Sequence, residues 1–223
     1  MAASIGGLSN DGQGRPACIL HADVHCIVAD KPAGLLCVPG RGDDKQDCLS
    51  ARVQSIHPDA LIVHRLDMAT SGLCVFARGL EMQRRLSAAF AGREVRKTYE
   101  AVVWGDPGPG PGEIDLPLAA DWPNRPRQKV DAQHGKPSLT RWWREGPGPV
   151  AGSTRLRLEP VTGRSHQLRV HLMAIGHPIV GDSLYAPEAV AAAAPRLWLH
   201  AGRLELPHPA TGEPVAWHSR VPF

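Results

Sequence analysis

The chain has 223 residues, 43% of them hydrophobic and 21% charged, with a formal net charge of +3. That length suits one domain of about 200 residues with a buried core, and no apolar run approaches the roughly 18–20 residues a membrane-spanning helix needs, so a soluble globular chain is expected. The opening MAASIGGLSNDGQGRPACIL lacks a basic start followed by an apolar stretch, which argues against export, and its Gly, Ser and Asn content predicts a loose tail over residues 1–17 ahead of a single domain at 18–223.

In chain order, CILHADVHCIVADKPAGLLCVPG is cut by Asp, Pro and Gly into short apolar pieces, which predicts strands and turns. ALIVHRL and GLCVFAR are β-prone runs separated by the turn-like DMATS, so they are predicted as neighbouring strands. LEMQRRLSAAFAGR spaces Met82, Leu86 and Phe90 four apart and reaches Gly92, the pattern of an amphipathic helix with a glycine stop. In KTYEAVVWG, alternation puts Tyr99, Ala101 and Val103 on one face of a strand. DPGPGPGE must be a loop, and residues 121–137, which show no clean period, are predicted as a long ordered or adaptable loop.

TRLRLEPVTGR alternates Leu156 and Leu158 with Arg155 and Arg157, as a half-buried strand does. Ser165 is predicted to cap a helix in HQLRVHLMAIG, with Leu168, Leu172 and Ile175 on one face and a stop at Gly176. PEAVAAAA is a short helix with Pro at its first position, and LWLHAGRLELPHPATGEPVAWHSR is a hairpin around a Pro/Gly turn. Strands and helices mix without βαβ alternation. The predicted class is therefore α+β, a mixed, largely antiparallel sheet flanked by helices and loops.

Five cysteines (Cys18, Cys26, Cys37, Cys48 and Cys74), odd in number and without C-x-x-C spacing, fit reduced thiols in a cytoplasm. The charge is uneven: residues 121–144 carry +4 and residues 155–177 carry +3, which leaves −4 for the rest of the chain. Such clustering, with Trp122, Trp142 and Trp143 interleaved, suits a polyanion whose bases stack on indoles. A solvated basic face over a tryptophan core suits it as well.

HRLDMATSGL is the sharpest candidate site. In an extended chain Arg65 and Asp67 share one face and His64 takes the other. Taken alone, Asp67 reads as a turn cap more readily than as a catalyst. His166, His171 and His177 invite a metal, but His166 and His171 diverge on the predicted helix and no H-E-x-x-H or C-x-x-C accompanies them, so no metal site is expected. No G-x-S-x-G elbow, P-loop or dinucleotide glycine pattern is present either, which argues against a serine nucleophile and a nucleotide cofactor.

HRLDMATSGL resembles the signature around the catalytic aspartate of the RluA family of RNA pseudouridine synthases. DKPAGLLCVPG, KTYEAVVWG, TGRSHQLRVHL and GHPIVGD resemble the family's other motifs, in the same order, and together they span about residues 18–220. DLPLAADWPNRPRQKV followed by GKP is similar to the members that modify both a transfer RNA anticodon stem-loop and a large-subunit ribosomal RNA loop. The resemblance implies one catalytic domain at 18–223, no cofactor, and uridine isomerisation in a structured RNA by base flipping; nothing in the sequence demands more than a monomer.

It also implies roles. Asp67 would be the carboxylate at the ribose, Tyr99 would sit against the uracil, and Arg164 would be the cation that keeps Asp67 ionised and oriented. Arg65 would fill the space left by the flipped base, offsetting part of the unstacking cost. His64, Lys31, Arg125, Arg127, Lys129 and Lys136 would contact RNA. Ser165 stands where many relatives carry Thr, which keeps the hydroxyl. The competing reading is a non-catalytic RNA-binding protein or chaperone on the same fold. The trio Asp67, Tyr99 and Arg164 separates the two, because a carboxylate in a basic groove repels phosphate and serves no pure binder.

Overall fold

The computed structural model describes residues 16–223. Residues 1–15 of the expected tail lie outside them. Twelve strands and four α-helices follow one another: β1 Cys18–Ala22, β2 Cys26–Lys31, α1 Leu49–Gln54, β3 Ala60–Ile62, β4 Ser71–Arg78, α2 Gly79–Ala91, β5 Arg96–Trp104, β6 Gly112–Asp115, β7 Leu118–Ala120, β8 Gln128–Val130, β9 Leu139–Pro147, β10 Ser153–Pro160, α3 Gln167–Ala174, α4 Glu188–Ala192, β11 Leu199–Pro207 and β12 Pro214–His218. Ten strands make one sheet in the order β1-β2-β4-β11-β5-β10-β9-β6, with β12 added to β11 and β3 to β4. Every pairing is antiparallel except β4 with β11, so the sheet is mixed and largely antiparallel, as predicted.

Side-chain alternation sorts the sheet into two buried faces. On one, Ile27, Ala29, Cys74, Phe76, Tyr99, Ala101, Val103, Leu156 and Leu158 pack with Leu168 and Leu172 of α3 and Leu49 and Val53 of α1. On the other, Cys26, Val28, Leu73, Val75, Leu204 and Leu206 pack with Leu86 and Ala89 of α2. Covered on both sides, β4 (SGLCVFAR) carries an unbroken apolar run from Gly72 to Ala77. Where it runs parallel to β11, Gly72 (φ +115) approaches so closely that a Cβ would lie 2.4 Å from the Ala201 carbonyl oxygen. Only glycine fits there.

Several expectations are corrected. Strand β3 ends at Ile62 instead of running to Leu66, because the Val75 amide of β4 donates to His64 Nε2 (3.0 Å), so a side chain occupies the ladder position. The left-handed residue after α2 is Arg93 (φ +61), since Gly92 itself stays right-handed. Pro187 lies just outside α4.

The residue before α3 is His166, in the left-handed conformation, and Ser165 makes no capping bond. Gln167, the first helical residue, instead braces the turn before the helix: its Oε1 accepts from the Arg164 amide (3.0 Å) and the Thr162 hydroxyl (2.7 Å). Segment 121–137 is an ordered loop that also contains one short strand, β8. Strands β7 and β8 form a two-stranded ribbon, and Leu118 and Val130 seat it on Val170 and Tyr185, a satellite core too small to leave a period in the sequence.

Candidate active site

Residues 63–67 leave β3 in an extended course and turn at Asp67, whose carbonyl accepts from the Thr70 amide (3.1 Å). Leu66 points inward, its amide donating to Cys37 Sγ (3.1 Å), so Arg65 and Asp67 face outward together. His64 turns the other way and stacks on Phe90, with ring centroids 4.7 Å apart. All of them line a cleft of about 260 Å³, below the roughly 300–1,000 Å³ of drug-sized pockets and on the scale of one small ring. Tyr99, Thr70, Arg164, His166 and Arg169 line it too.

The Asp67 carboxylate is partly exposed and has two neighbours of opposite charge or donor character: Arg169 Nη1 at 3.9 Å and His166 Nε2 at 3.9 Å. This corrects the expected partner. Arg164 is exposed, and its Nε reaches the Pro137 carbonyl at 3.4 Å; among the described residues it makes no ion pair with Asp67. Arg169 lies in the first turn of α3, a helix whose first six residues are all buried. A buried guanidinium needs a fixed partner, and Asp182 supplies one at 2.8 and 2.6 Å. Burial works against the charge, but Asp182 and then Asp67 outweigh it, and the guanidinium pKa is raised. Held by Asp182, Arg169 presents its free edge to Asp67.

Tyr99 projects from β5 into the cleft. Burial, reinforced by the negative charge of Asp67, holds its phenol well above the ordinary range, so it is a neutral proton carrier. Lys31 is the second correction. It is wholly buried, and its ammonium donates to the carbonyls of Pro32 (2.9 Å), Leu35 (2.7 Å) and Met68 (3.0 Å). Burial lowers its pKa to about 8, although Asp67 is among the charges that favour the cation. It cannot touch a phosphate. It ties the loop after β2 to the turn that carries Asp67.

His64, expected at the RNA, has Nε2 committed to the Val75 amide and is kept neutral by burial, its pKa pushed down to about 3. It is part of the cleft wall. The four ribbon cations stay at the surface: Arg125 stacks over Trp122 (3.5 Å), Arg127 lies 5.4 Å from the Tyr185 ring, Lys129 pairs with Asp131 (3.4 Å), and Lys136 is exposed. Of the three tryptophans, Trp142 is buried, Trp143 lies under Arg157, and Trp122, 67% exposed, has one face under Arg125.

The three candidate metal histidines do not converge. His166 meets Tyr185, His171 meets Thr140 and the Leu116 carbonyl, and His177 meets the Trp104 carbonyl. Among the described residues one trio has metal-like spacing, His21, Asp23 and Cys26, at the β1–β2 turn; there Asp23 already accepts from the amides of His25 and Cys26. Sequence patterns also missed Asp182 and Tyr185. The available signal was a charged residue, Arg169, inside a helix that buries every side.

The described residues include no helix long and apolar enough to cross a membrane. The sequence model of the RNA pseudouridylate synthase family matches residues 25–174. The dual-specificity RNA pseudouridine synthase RluA of Escherichia coli K12 is 49% identical over 206 residues, 92% of this chain and 93% of that one. Its namesake from Vibrio cholerae is 50% identical over 191 residues, 86% of this chain and 77% of that one. Among solved structures, human RNA pseudouridylate synthase domain containing 1 superposes with a TM-score of 0.78 at 27% identity, covering 99% of this chain and 87% of that one. On the family match and these identities over most of its length, the chain belongs to the RluA family of RNA pseudouridylate synthases.

Proposed function

We propose that this protein isomerises uridine to pseudouridine in stem-loops of ribosomal RNA, transfer RNA or both, with Asp67 at the reacting centre. The relatives named dual-specificity enzymes support the substrate class. The observation that carries the reading is one carboxylate in a base-sized cleft, between the buried Arg169 and the neutral phenol of Tyr99. The reaction breaks the N1–C1′ bond of uridine, turns the base, forms the C5–C1′ bond, and moves a proton from C5 to solvent while N1 gains one. Nothing is oxidised and no group is added, so it calls for no cofactor.

Asp67 acts at the ribose as nucleophile or base, with Arg169 keeping it ionised and aimed. Tyr99 lies against the freed uracil and assists the proton transfer at C5. Arg65, exposed at the rim, takes the place of the flipped base. The ribbon cations Arg125, Arg127, Lys129 and Lys136 hold the folded RNA loop by its phosphates. Residues 18–223 work as one catalytic unit, a monomer in the cytoplasm.

Tritium release from RNA labelled at uracil C5 tests this. Wild type should release label from transfer RNA or a ribosomal stem-loop, while Asp67→Asn should bind the same RNA and release none. Release by Asp67→Asn at the wild-type rate would sink the assignment of Asp67, and silence of the wild type on both RNAs would sink the activity.

A further inference from the structure

We infer that His166 and Tyr185 form a positioning relay that carries engagement of the basic ribbon to the Asp67 carboxylate. This rests on the pseudouridine synthase reading of the cleft. His166 is one of two non-glycine residues with positive φ among those described (φ +53, ψ +17), a conformation that persists only where the surroundings impose it. It stands at the start of α3 with its side chain 14% exposed. Its Nδ1 lies 2.6 Å from the Tyr185 hydroxyl and its Nε2 lies 3.9 Å from Asp67 Oδ1. One imidazole thus touches a ribbon anchor on one side and faces the reacting carboxylate on the other.

Proton accounting gives the relay a direction. Tyr185 is 5% exposed, and its oxygen accepts from the Gln128 amide of β8 at 2.8 Å. An amide only donates, so the phenol proton remains available, and the acceptor beside it is His166 Nδ1. With Nδ1 accepting, a neutral His166 carries its proton on Nε2, facing Asp67. Burial favours that neutral form, while Asp67 pulls the other way. The chain runs Gln128 N–H to Tyr185 O–H to His166 Nε2–H to Asp67, every donor pointing the same way, the arrangement in which successive bonds polarise one another.

The Tyr185 ring is also flanked by two guanidiniums, Arg127 of the ribbon at 5.4 Å and Arg169 at 5.0 Å. Gln128 lies between Arg127 and Lys129, so phosphates that draw on those cations move the very amide that begins the chain. At 3.9 Å the last step is too long for a hydrogen bond. A closure of about 1 Å makes it one, and adds a second donor to the carboxylate when RNA is seated. His166 and Tyr185 are positioning residues here, acting on uridine through Asp67.

Tyr185→Phe keeps the ring and removes only the hydroxyl. The relay predicts that kcat for pseudouridine formation falls about tenfold, the scale of one lost hydrogen bond at a reacting group, while KM for the RNA stays within about twofold. His166→Asn tolerates the left-handed backbone but cannot reach Asp67. It should lower kcat as well, and adding Tyr185→Phe to it should cost nothing more. Imidazole nitrogen NMR of the full chain should find His166 protonated on Nε2 and bare at Nδ1 in the wild type, and mixed tautomers in Tyr185→Phe.

An unchanged kcat in Tyr185→Phe, a raised KM with kcat intact, or a proton on Nδ1 in the wild type would each overturn the relay. A wild type that forms no pseudouridine would overturn the activity reading instead, and the tautomer spectrum would still decide the relay.

Discussion

Replacing Arg169 with Met should destabilise this protein far more than the same change at Arg164, only five positions away. Arg169 and Asp182 exchange two hydrogen bonds, at 2.8 and 2.6 Å, with side chains 3% and 0% exposed. Without the cation, Asp182 keeps only the amides of Leu184 and Tyr185 as donors. Breaking a buried pair on one side costs about 3–5 kcal/mol. Two surviving donors put this case near the lower end, about 3 kcal/mol, which for a domain of this size lowers Tm by about 6–12 °C. Arg164 is exposed and bonds one carbonyl at 3.4 Å, so Arg164→Met should stay within about 0.5 kcal/mol.

A double variant separates charge from packing. Asp182→Asn retains an oxygen for the two amides and removes the uncompensated charge, so Arg169→Met with Asp182→Asn should recover more than half of the loss. Urea unfolding of the four proteins at pH 7, with the slopes compared to ensure a common unfolded state, measures all of this. Equal stabilities for the two Met variants, or a double variant no better than Arg169→Met, would refute the assignment of Arg169 as the buried, structurally anchored arginine.

Lys31→Met strips the Lys31 ammonium from three carbonyls and should cost roughly 3 kcal/mol, yet leave the salt dependence of RNA affinity unchanged; a shallower salt slope would return Lys31 to the phosphate contacts. Arg125→Ala and Lys136→Ala should each reduce the slope of log affinity against log salt by about 1, and a slope identical to wild type would make the ribbon a merely solvated face. Acid should destabilise the fold. His64 (pKa about 3), His171 and His200 are all held below the ordinary value by burial, so as pH falls below about 6.5 the unfolded chain takes up protons that the native state refuses. At pH 5 His64 alone accounts for up to about 2 kcal/mol. Unfolding curves for wild type and His64→Gln should diverge between pH 7 and 5 by about that amount, and parallel curves would contradict it.

Local chemistry made much of this molecule legible in sequence. The alternation in KTYEAVVWG and TRLRLEP placed Tyr99, Leu156 and Leu158 correctly, because strand period and burial are properties of neighbouring residues. The outward pair Arg65 and Asp67 followed from the same rule, even though the hydrogen-bonded strand stops at Ile62. Ordered motifs identified the family, since each motif is contiguous. What failed had long-range causes. Lys31 is expected against RNA, but Met68, from a turn 37 residues away, joins Pro32 and Leu35 in giving its ammonium carbonyls inside the fold.

Arg164 and Arg169 differ in sequence only by five positions on one segment, and nothing local says which of them meets Asp67. That choice is made by Asp182, which buries and clamps Arg169, and by Pro137, which draws Arg164 toward the surface. The sheet class, the outward carboxylate and the family can be read along the chain, residue by neighbouring residue. Which cation, which imidazole and which phenol surround that carboxylate depends on the packed fold, because a buried charge takes its partner from whatever lies within a few ångströms, regardless of distance along the chain.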